Sequence, residues 1–153
     1  MEICLILKKE KNHNKKIINL LKKIQLIKDR KIINFKNKKY IIPKYGSKIL
    51  FEEAKLFSDW YIPKKLPLAK QLRFKKNYAK IIKSLISKIS LKNDVLVHRD
   101  FHVSNLILIN NKIGVIDTQD ALIGNRAYDL ASLIDDVRFI TSSTLKEKIF
   151  NFY

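Results

Sequence analysis

The stretch His98–Asn105, HRDFHVSN, is the most informative part of this 153-residue sequence. The β-branched-rich run 95–97 (VLV) precedes it and the apolar run 106–109 (LILI) follows it, and both are typical of short strands. Aspartate and asparagine, which occur in the stretch between them, favour turns. The pattern therefore predicts a polar loop between two strands.

A β-hairpin is expected directly after this loop. The apolar runs 106–109 and 113–116 are separated by the pair Asn110–Asn111. Asparagine tolerates the positive φ that a tight hairpin turn requires. Asp117 ends the second run, so the hairpin can return Asp117 to the side of Asn105.

Most of the remaining sequence has apolar residues three and four positions apart, which is typical of amphipathic helices. Ser47 can cap one of these helices, and Pro63 and Pro67 interrupt the helical pattern. Polar segments predict loops at 28–39 and 118–125. The expected fold class is α+β, mostly helical with a small β-hairpin. Helices are expected near 14–27, 48–60, 78–89 and 128–139 and from Thr144 onward, and a strand or the entrance to a larger element at 1–11.

Three oxygen-bearing side chains have the order and spacing that metal-assisted phosphoryl transfer needs. Asp100 lies five positions before Asn105, and Asp117 lies twelve positions after it. In such a reaction one carboxylate faces the acceptor hydroxyl, while an amide oxygen and a second carboxylate hold Mg²⁺ against the nucleotide phosphates. Hard oxygen ligands suit Mg²⁺. Ordinary turn residues are the alternative reading of all three.

Two histidines four positions apart, His98 and His102, lie on either side of Asp100 and could suggest zinc. The helical HExxH signature is missing, however, and His98 ends a strand-like run. Zinc is therefore not expected, and a structural role is the favoured interpretation of His98.

The string HRDxxxxN matches the catalytic loop of protein kinases, but the metal-binding triplet Asp-Phe-Gly is replaced by Asp117-Thr118-Gln119. The segments HRDFHVSNLIL (98–108) and GVIDTQDALIGNRAYDLASLIDD (114–136) resemble the aminoglycoside phosphotransferase family, which also contains choline kinases and sugar kinases. Within it, the resemblance is closest to the bacterial N-acetylmuramate/N-acetylglucosamine anomeric kinases. It covers roughly residues 16–140, and the segments 18–25, 42–45 and 50–61 support it.

The resemblance implies roles for five residues. Asp100 would be the catalytic base, and Asn105 and Asp117 would be the metal ligands. Asp129 would brace the catalytic loop by accepting hydrogen bonds, and His98 would anchor the loop from its buried side. The implied cofactors are ATP and Mg²⁺. The implied reaction transfers the γ-phosphate to a hydroxyl of a small polar acceptor, such as an amino sugar.

The acceptor side is less well defined by the sequence. Asp120 lies in the expected acceptor-side loop and is a candidate for contact with the sugar or with a second metal. Glu53 and Trp60 are candidates for the acceptor pocket, although a core position is the favoured interpretation of Trp60. Aminoglycoside or choline-type acceptors are alternatives, and a cationic acceptor would need an acidic pocket, for which only Asp120, Asp135 and Asp136 cluster loosely downstream of Asp117.

The chain is strongly basic, with 32 Lys and Arg against 14 Asp and Glu and a net charge of +18. Such a charge is typical of proteins that bind nucleic acids or anionic surfaces. Lysine, isoleucine and asparagine dominate the composition, however, and an AT-rich genome explains that bias without a ligand. No helix-turn-helix, zinc or RNA-stacking signature is present, so a nucleic-acid partner is not expected.

The single cysteine, Cys4, excludes an internal disulfide and is compatible with a reducing compartment. No apolar run approaches the roughly 20 residues that a membrane span needs. We therefore expect a cytoplasmic protein with no membrane partner.

The sequence lacks the parts of a kinase that cradle the nucleotide phosphates. Gly46, Gly114 and Gly124 do not form a glycine-rich loop, and the segment before Asn14 is too short for a β-rich N-terminal lobe. We expect residues 1–153 to form a partial phosphotransferase domain, a protein-kinase-like C-terminal lobe from a truncated or split chain, with the N-terminal lobe absent or on a separate chain. Positioning of ATP carries much of the catalysis, so little activity is expected of the chain alone. A non-catalytic remnant or partner-binding module is the alternative.

Overall fold

The chain divides into two compact units. The first unit joins the residues up to Lys44 to residues 93–153, and the second unit is residues 45–92. The computed structural model describes residues 11–33, 35–89, 92–138 and 140–153, the first two by their backbone alone. The element expected at 1–11 lies, apart from Lys11, outside this part of the chain.

The described elements define an α+β architecture in which short antiparallel strands accompany the helices. A π-helical turn (Phe57–Tyr61) and a 3-10 turn (Ile62–Lys64) follow helix α2 (Ser47–Leu56), and a second 3-10 turn (Val103–Asn105) precedes strand β4 (Leu106–Ile109). Helix α2, the two turns that follow it and helix α3 (Leu68–Lys88) belong to the second unit, and the other elements belong to the first. In chain order the elements are α1 (Lys11–Gln25), β1 (Lys31–Ile33), β2 (Lys39–Ile41), α2 (Ser47–Leu56), α3 (Leu68–Lys88), β3 (Val95–Val97), β4 (Leu106–Ile109), β5 (Lys112–Val115), β6 (Leu122–Gly124), α4 (Ala127–Ile134) and α5 (Ser143–Phe152).

The hairpin expected after the polar loop is present. Strands β4 and β5 pair antiparallel, with Leu106 opposite Val115. Asn110 and Asn111 form the turn with φ values of 48° and 62°. Both φ values are left-handed, so the prediction that the two asparagines form a tight hairpin turn is confirmed.

Two segments expected to be loops contain strands instead. Residues 31–33 and 39–41 pair as β1 and β2, and every residue of both strands is exposed. Such strands bury no face, so no alternation of apolar and polar residues marks them in the sequence. Residues 122–124 form β6, which pairs with β3 so that Val97 lies opposite Leu122. Three residues are too few to show a period, and their partner is distant in the chain.

The helix boundaries also differ from the expected ones. Helix α3 begins directly after Pro67, well before residue 78, and α4 ends at Ile134 rather than near 139. The last helix is confirmed, and Ser142 caps it by accepting a hydrogen bond from the Leu145 N–H at 3.3 Å. None of the helices in the described ranges has the length and hydropathy needed to cross a membrane.

The start and the end of α2 correct two expectations. Gly46 is the N-cap, and Ser47 is already helical and provides no side-chain cap. After Leu56 the chain widens into the π-helical turn, which carries the later side chains out of the spacing of an α-helix. Trp60 is 71% exposed as a result, so the core interpretation of this residue is wrong.

One hydrophobic core holds the first unit together. Helix α1 contributes Ile17, Ile18 and Leu21, and helix α4 contributes Leu130 and Leu133. The other buried members of this core come from the polar loop, from β4 and from α5: Phe101, Val103, Leu106 and Ile149. The loop that carries the candidate chemistry is thus anchored in the core by its own apolar residues.

Leu21 is buried in the core on α1, whereas Leu26, just after the end of α1, is 69% exposed. Leu21 should therefore contribute far more to stability than Leu26. Leu21→Ala removes a fully buried side chain and is expected to lower the free energy of unfolding by about 2–5 kcal/mol. Leu26→Ala is the matched control and should change it by less than about 0.5 kcal/mol. Urea denaturation measures both, and equal effects would contradict the assignment of the core.

Candidate active site

The polar loop between β3 and β4 is held by a buried carboxylate. The carboxylate of Asp129, on α4, accepts a hydrogen bond from the backbone N–H of His98 at 2.8 Å and another from that of Arg99 at 3.0 Å. The side chain is fully buried. Burial raises the pKa of Asp129, and the two N–H groups oppose that rise because they stabilise the ionised form.

Some residues of this loop are buried and others reach the surface. Phe101 and Val103 are buried, whereas Asp100 is exposed. Arg99 has a left-handed backbone with φ of 76°, which is uncommon for a residue other than glycine. The two hydrogen bonds to Asp129 hold this conformation, and it brings the loop to the surface at Asp100.

His98 links the loop to the end of the hairpin. Its Nε2 lies 2.9 Å from the backbone oxygen of Ile116, and its ring meets the ring of Phe101 edge-on with centroids 6.1 Å apart. A carbonyl oxygen only accepts, so Nε2 carries the proton. His98 is buried, and its anchoring role stays a prediction that this contact supports.

Asn105 joins the three segments that carry the candidate catalytic residues. Its side-chain Nδ2 donates to the backbone oxygen of Asp100 at 3.0 Å, and its own backbone oxygen accepts from the N–H of Ile116 at 3.0 Å. Ile116 is the neighbour of Asp117. The hydrogen bonds therefore bring the backbones at Asp100, Asn105 and Asp117 to one edge of the first unit.

Asp117 follows β5 with an exposed side chain and a φ of 67°. Aspartate tolerates this left-handed conformation better than most residues do. Its carboxylate accepts a hydrogen bond from the amide of Gln119. The turn lets the chain leave the hairpin while the carboxylate stays at the surface.

The candidate acceptor residues are distributed over both units. Asp120 is exposed in the loop after Asp117, and its backbone oxygen lies 3.5 Å from Nη1 of Arg99. Glu53 accepts a hydrogen bond from the hydroxyl of Tyr45, and both residues belong to the second unit, as does Trp60. A role in acceptor binding stays a prediction for Asp120, Glu53 and Trp60.

Sequence reasoning gave no role in the support of the loop to two buried residues, His102 within the loop and Asp136 after α4. His102 Nε2 is 3.4 Å from Nδ2 of Asn105. Asp136 accepts from the N–H and the Nε of Arg138 at 3.0 and 2.8 Å. The spacing of His102 from His98 is a signal that the sequence offers. Asp135 and Asp136 directly follow a helix, and their pattern in the sequence does not distinguish Asp136 from an exposed residue.

The electrostatics of His102 and Asp136 follow from burial and from Arg138. Burial lowers the pKa of His102, with the charge of Arg138 as the next cause. Burial by itself would raise the pKa of Asp136, but the hydrogen bonds and the charge of Arg138 outweigh it and hold that pKa below its ordinary value of 3.8.

The donor atoms at this edge fit Mg²⁺ better than a softer metal. Asn105 and Asp117 offer an amide oxygen and a carboxylate, which are the hard ligands that Mg²⁺ takes together with water and phosphate oxygens. Among the residues that the structure describes, no group of three or more His, Cys, Asp or Glu side chains could hold a metal ion. A metal here would depend on the nucleotide for most of its ligands.

The fold and this site define a phosphotransferase-type protein, and comparison with protein families agrees. Residues 16–153 match the model of the APH family, described as the phosphotransferase enzyme family. The match covers most of the chain, so the chain belongs to this family, which implies a kinase-like fold.

Three curated relatives are named N-acetylmuramate/N-acetylglucosamine kinase. The protein of Neisseria meningitidis is 37% identical over 98 residues, which are 63% of this chain and 29% of the relative. Those of Pseudomonas putida and Pseudomonas aeruginosa are 34% and 33% identical over 62% and 63% of this chain, and 28% of each relative is covered. The matched segment thus spans less than a third of the length of these relatives.

The contact between Asp129 and the loop should be a major source of stability. Asp129→Ala leaves two backbone N–H groups of the loop without an acceptor, at a cost of about 1–3 kcal/mol for each group that stays buried. The neighbouring control is Asp135→Ala, which removes an exposed carboxylate paired with Lys146 and should cost less than about 1 kcal/mol. Urea denaturation compares them, and a larger loss for Asp135→Ala would contradict the prediction.

The low pKa of Asp136 predicts a pH dependence with a definite sign. A carboxyl group whose pKa is lower in the folded state than in the unfolded state stabilises the fold above about 3.8, and this contribution is lost as the pH falls through the folded pKa. The stability of the wild type should therefore fall more steeply than that of Asp136→Asn as the pH falls from about 5 to about 2. Thermal unfolding at a series of pH values measures how stability changes with pH, and Asp135→Asn is the control. Identical slopes for the wild type and Asp136→Asn would refute the lowered pKa.

Proposed function

We propose that this chain forms part of an ATP-dependent kinase that phosphorylates a hydroxyl of an amino sugar such as N-acetylmuramate or N-acetylglucosamine. The observation that carries the proposal is a pair of hydrogen bonds at Asn105: its Nδ2 donates to the backbone oxygen of Asp100, and its backbone oxygen accepts from the N–H of Ile116, the residue before Asp117. These bonds gather one exposed carboxylate, one amide and a second exposed carboxylate in a chain of the phosphotransferase enzyme family.

Asp100 is the proposed catalytic base. Its side chain is exposed on a loop whose backbone is fixed from below by Asp129 and Phe101. An accessible carboxylate on a rigid loop can accept the proton of an acceptor hydroxyl and can orient that hydroxyl toward the phosphate. The rigid support matters because phosphoryl transfer depends mainly on positioning.

Asn105 and Asp117 are the proposed metal ligands. The Nδ2 of Asn105 is held by the backbone of Asp100, so its Oδ1 is the end of the amide that is left for a cation. Mg²⁺–ATP, when bound, would supply the phosphoryl group and neutralise charge on its oxygens. The contribution of this chain is to fix the two oxygen ligands beside the base.

The amino sugar is proposed as the acceptor because the curated relatives are named for it. Asp120 follows Asp117 in an exposed loop and is the proposed acceptor contact of the first unit. Glu53 and Trp60 are proposed contacts from the second unit, and the exposure of Trp60 makes its ring available to a sugar face. Because the proposed reaction consumes ATP, the cytoplasm is the proposed location of the protein.

A chimera tests this function in the context of a full-length kinase. Residues 16–153 would replace the corresponding part of the Neisseria meningitidis relative, and ATP-dependent phosphorylation would be measured with N-acetylmuramate, N-acetylglucosamine, choline and an aminoglycoside. We expect the two amino sugars to be phosphorylated. Asp100→Asn in the chimera should lower kcat about 10²–10⁴-fold and leave KM for the sugar nearly unchanged.

The controls separate a lost function from a lost fold. Asp135→Asn should keep the activity of the chimera, because Asp135 is exposed and bonds to Lys146 instead of the loop. A folded chimera that phosphorylates choline or the aminoglycoside in preference to the sugars contradicts the proposed acceptor. Full activity of Asp100→Asn contradicts the proposed base.

A further inference from the structure

The hairpin of β1 and β2 exposes apolar side chains on both of its faces. Every residue of the two strands is exposed, and successive side chains of a strand point to opposite faces. Ile32 lies opposite Tyr40 on one face, and each is 48% exposed. Ile33 and Ile41 share the other face and are 68% and 65% exposed, while Phe35, in the turn, is 91% exposed. An apolar patch of this kind marks a site of interaction.

Lysine is the only charged residue type in this hairpin. Residues 31–41 contain no Asp or Glu, whereas residues 93–153 hold six Lys and Arg against eight Asp and Glu. A genome-wide bias toward lysine acts along the whole chain, so it does not explain this local excess. The hairpin is therefore complementary in charge to an anionic surface. Its lysines are spread over both strands and the turn: Lys31, Lys36, Lys38 and Lys39.

The distribution of apolar side chains over two faces limits what can cover the hairpin. A rigid surface of a folded partner covers one face and leaves the other in water. Pairing of a further strand with an outer edge, which no described strand occupies, covers neither face. Nucleic acid bases stack on aromatic rings or on Arg, and isoleucine offers no such plane. A lipid bilayer, by contrast, takes up apolar side chains of any orientation at the boundary between headgroups and acyl chains.

We propose that the β1–β2 hairpin docks on the surface of an anionic lipid bilayer, with Phe35 and the apolar side chains of both strands inserted and the lysines at the level of the headgroups. Lysine can bury its stem beside apolar groups and keep its ammonium in water. The Nζ of Lys36 lies over the Phe35 ring, 5.4 Å from its centroid, so a charge accompanies the most exposed apolar group of the hairpin.

This docking does not depend on a membrane-spanning segment or on the enzymatic activity proposed above. The expectation of no membrane partner rested on the lack of an apolar run long enough to span a bilayer, and binding at a surface needs no such run. The cytoplasmic leaflet of a membrane carries anionic lipids and attracts clusters of lysine, which agrees with the proposed location.

Cosedimentation of the full chain with lipid vesicles tests the apolar part of the proposal. We expect binding, at a salt concentration of about 0.15 M, to vesicles that contain phosphatidylglycerol and not to vesicles of phosphatidylcholine alone. Phe35→Ser leaves the net charge unchanged and should weaken the binding about tenfold. The matched control is Phe150→Ser, which makes the same change at a residue of α5 that is 64% exposed, and it should keep the binding within about twofold. Equal binding of Phe35→Ser and the control would overturn the proposal.

A pair of charge variants tests the role of the lysines. Lys38→Gln combined with Lys39→Gln should weaken vesicle binding by about fivefold for each lysine. Lys112→Gln combined with Lys148→Gln removes the same charge from exposed positions elsewhere in the first unit and should have a much smaller effect. Equal losses for the two double variants would show that only the net charge matters and would overturn the assignment of the hairpin.

A fluorescence measurement tests insertion directly. In Trp60→Phe combined with Phe35→Trp, the single tryptophan should shift its emission to the blue on vesicle binding and should be quenched by lipids with brominated acyl chains. An unquenched tryptophan on bound vesicles would overturn insertion.

Two further outcomes would assign the hairpin to another occupant and overturn the proposal. One is a dimer in light scattering that Phe35→Ser abolishes. The other is binding to a single-stranded oligonucleotide that Phe35→Ser weakens more than it weakens binding to vesicles.

Discussion

The carboxylate of Asp129 is the constraint on which the rest of the site depends. It lies fully buried on α4 and accepts the backbone N–H groups of His98 and Arg99. Burial of a carboxylate is costly unless it is hydrogen-bonded, and the loop supplies the two donors that it needs. In return the loop adopts a left-handed backbone at Arg99 that it would not hold by itself. Buried charge and strained loop thus stabilise each other.

From that anchor a continuous set of contacts extends to each candidate catalytic group. His98 reaches Ile116, Ile116 donates to Asn105, and Asn105 donates to Asp100. Every one of these bonds uses a backbone group at one end. The side-chain oxygen of Asn105 and the carboxylate of Asp100 take no part in these bonds, and the carboxylate of Asp117 accepts a hydrogen bond from the amide of Gln119.

The family match and the candidate site involve different parts of the chain. Membership of the phosphotransferase enzyme family rests on residues 16–153, whereas the named relatives match less than a third of their own length. The loop and the hairpin lie in one unit, and α2 and α3 form another. The hydrogen bonds that join the candidate catalytic residues therefore all lie within the first unit.

The sequence by itself determined the β4–β5 hairpin, the strand before the loop, the α+β class and the family, because these depend on local turn chemistry and on a fixed order of polar residues. Only the tertiary structure decided that β6 pairs with β3, that β1 and β2 exist, and that Trp60 is exposed. It also decided that His102 and Asp136 are buried. Each of these depends on partners distant in the chain or on a change of helical pitch, and neither leaves a period in the sequence.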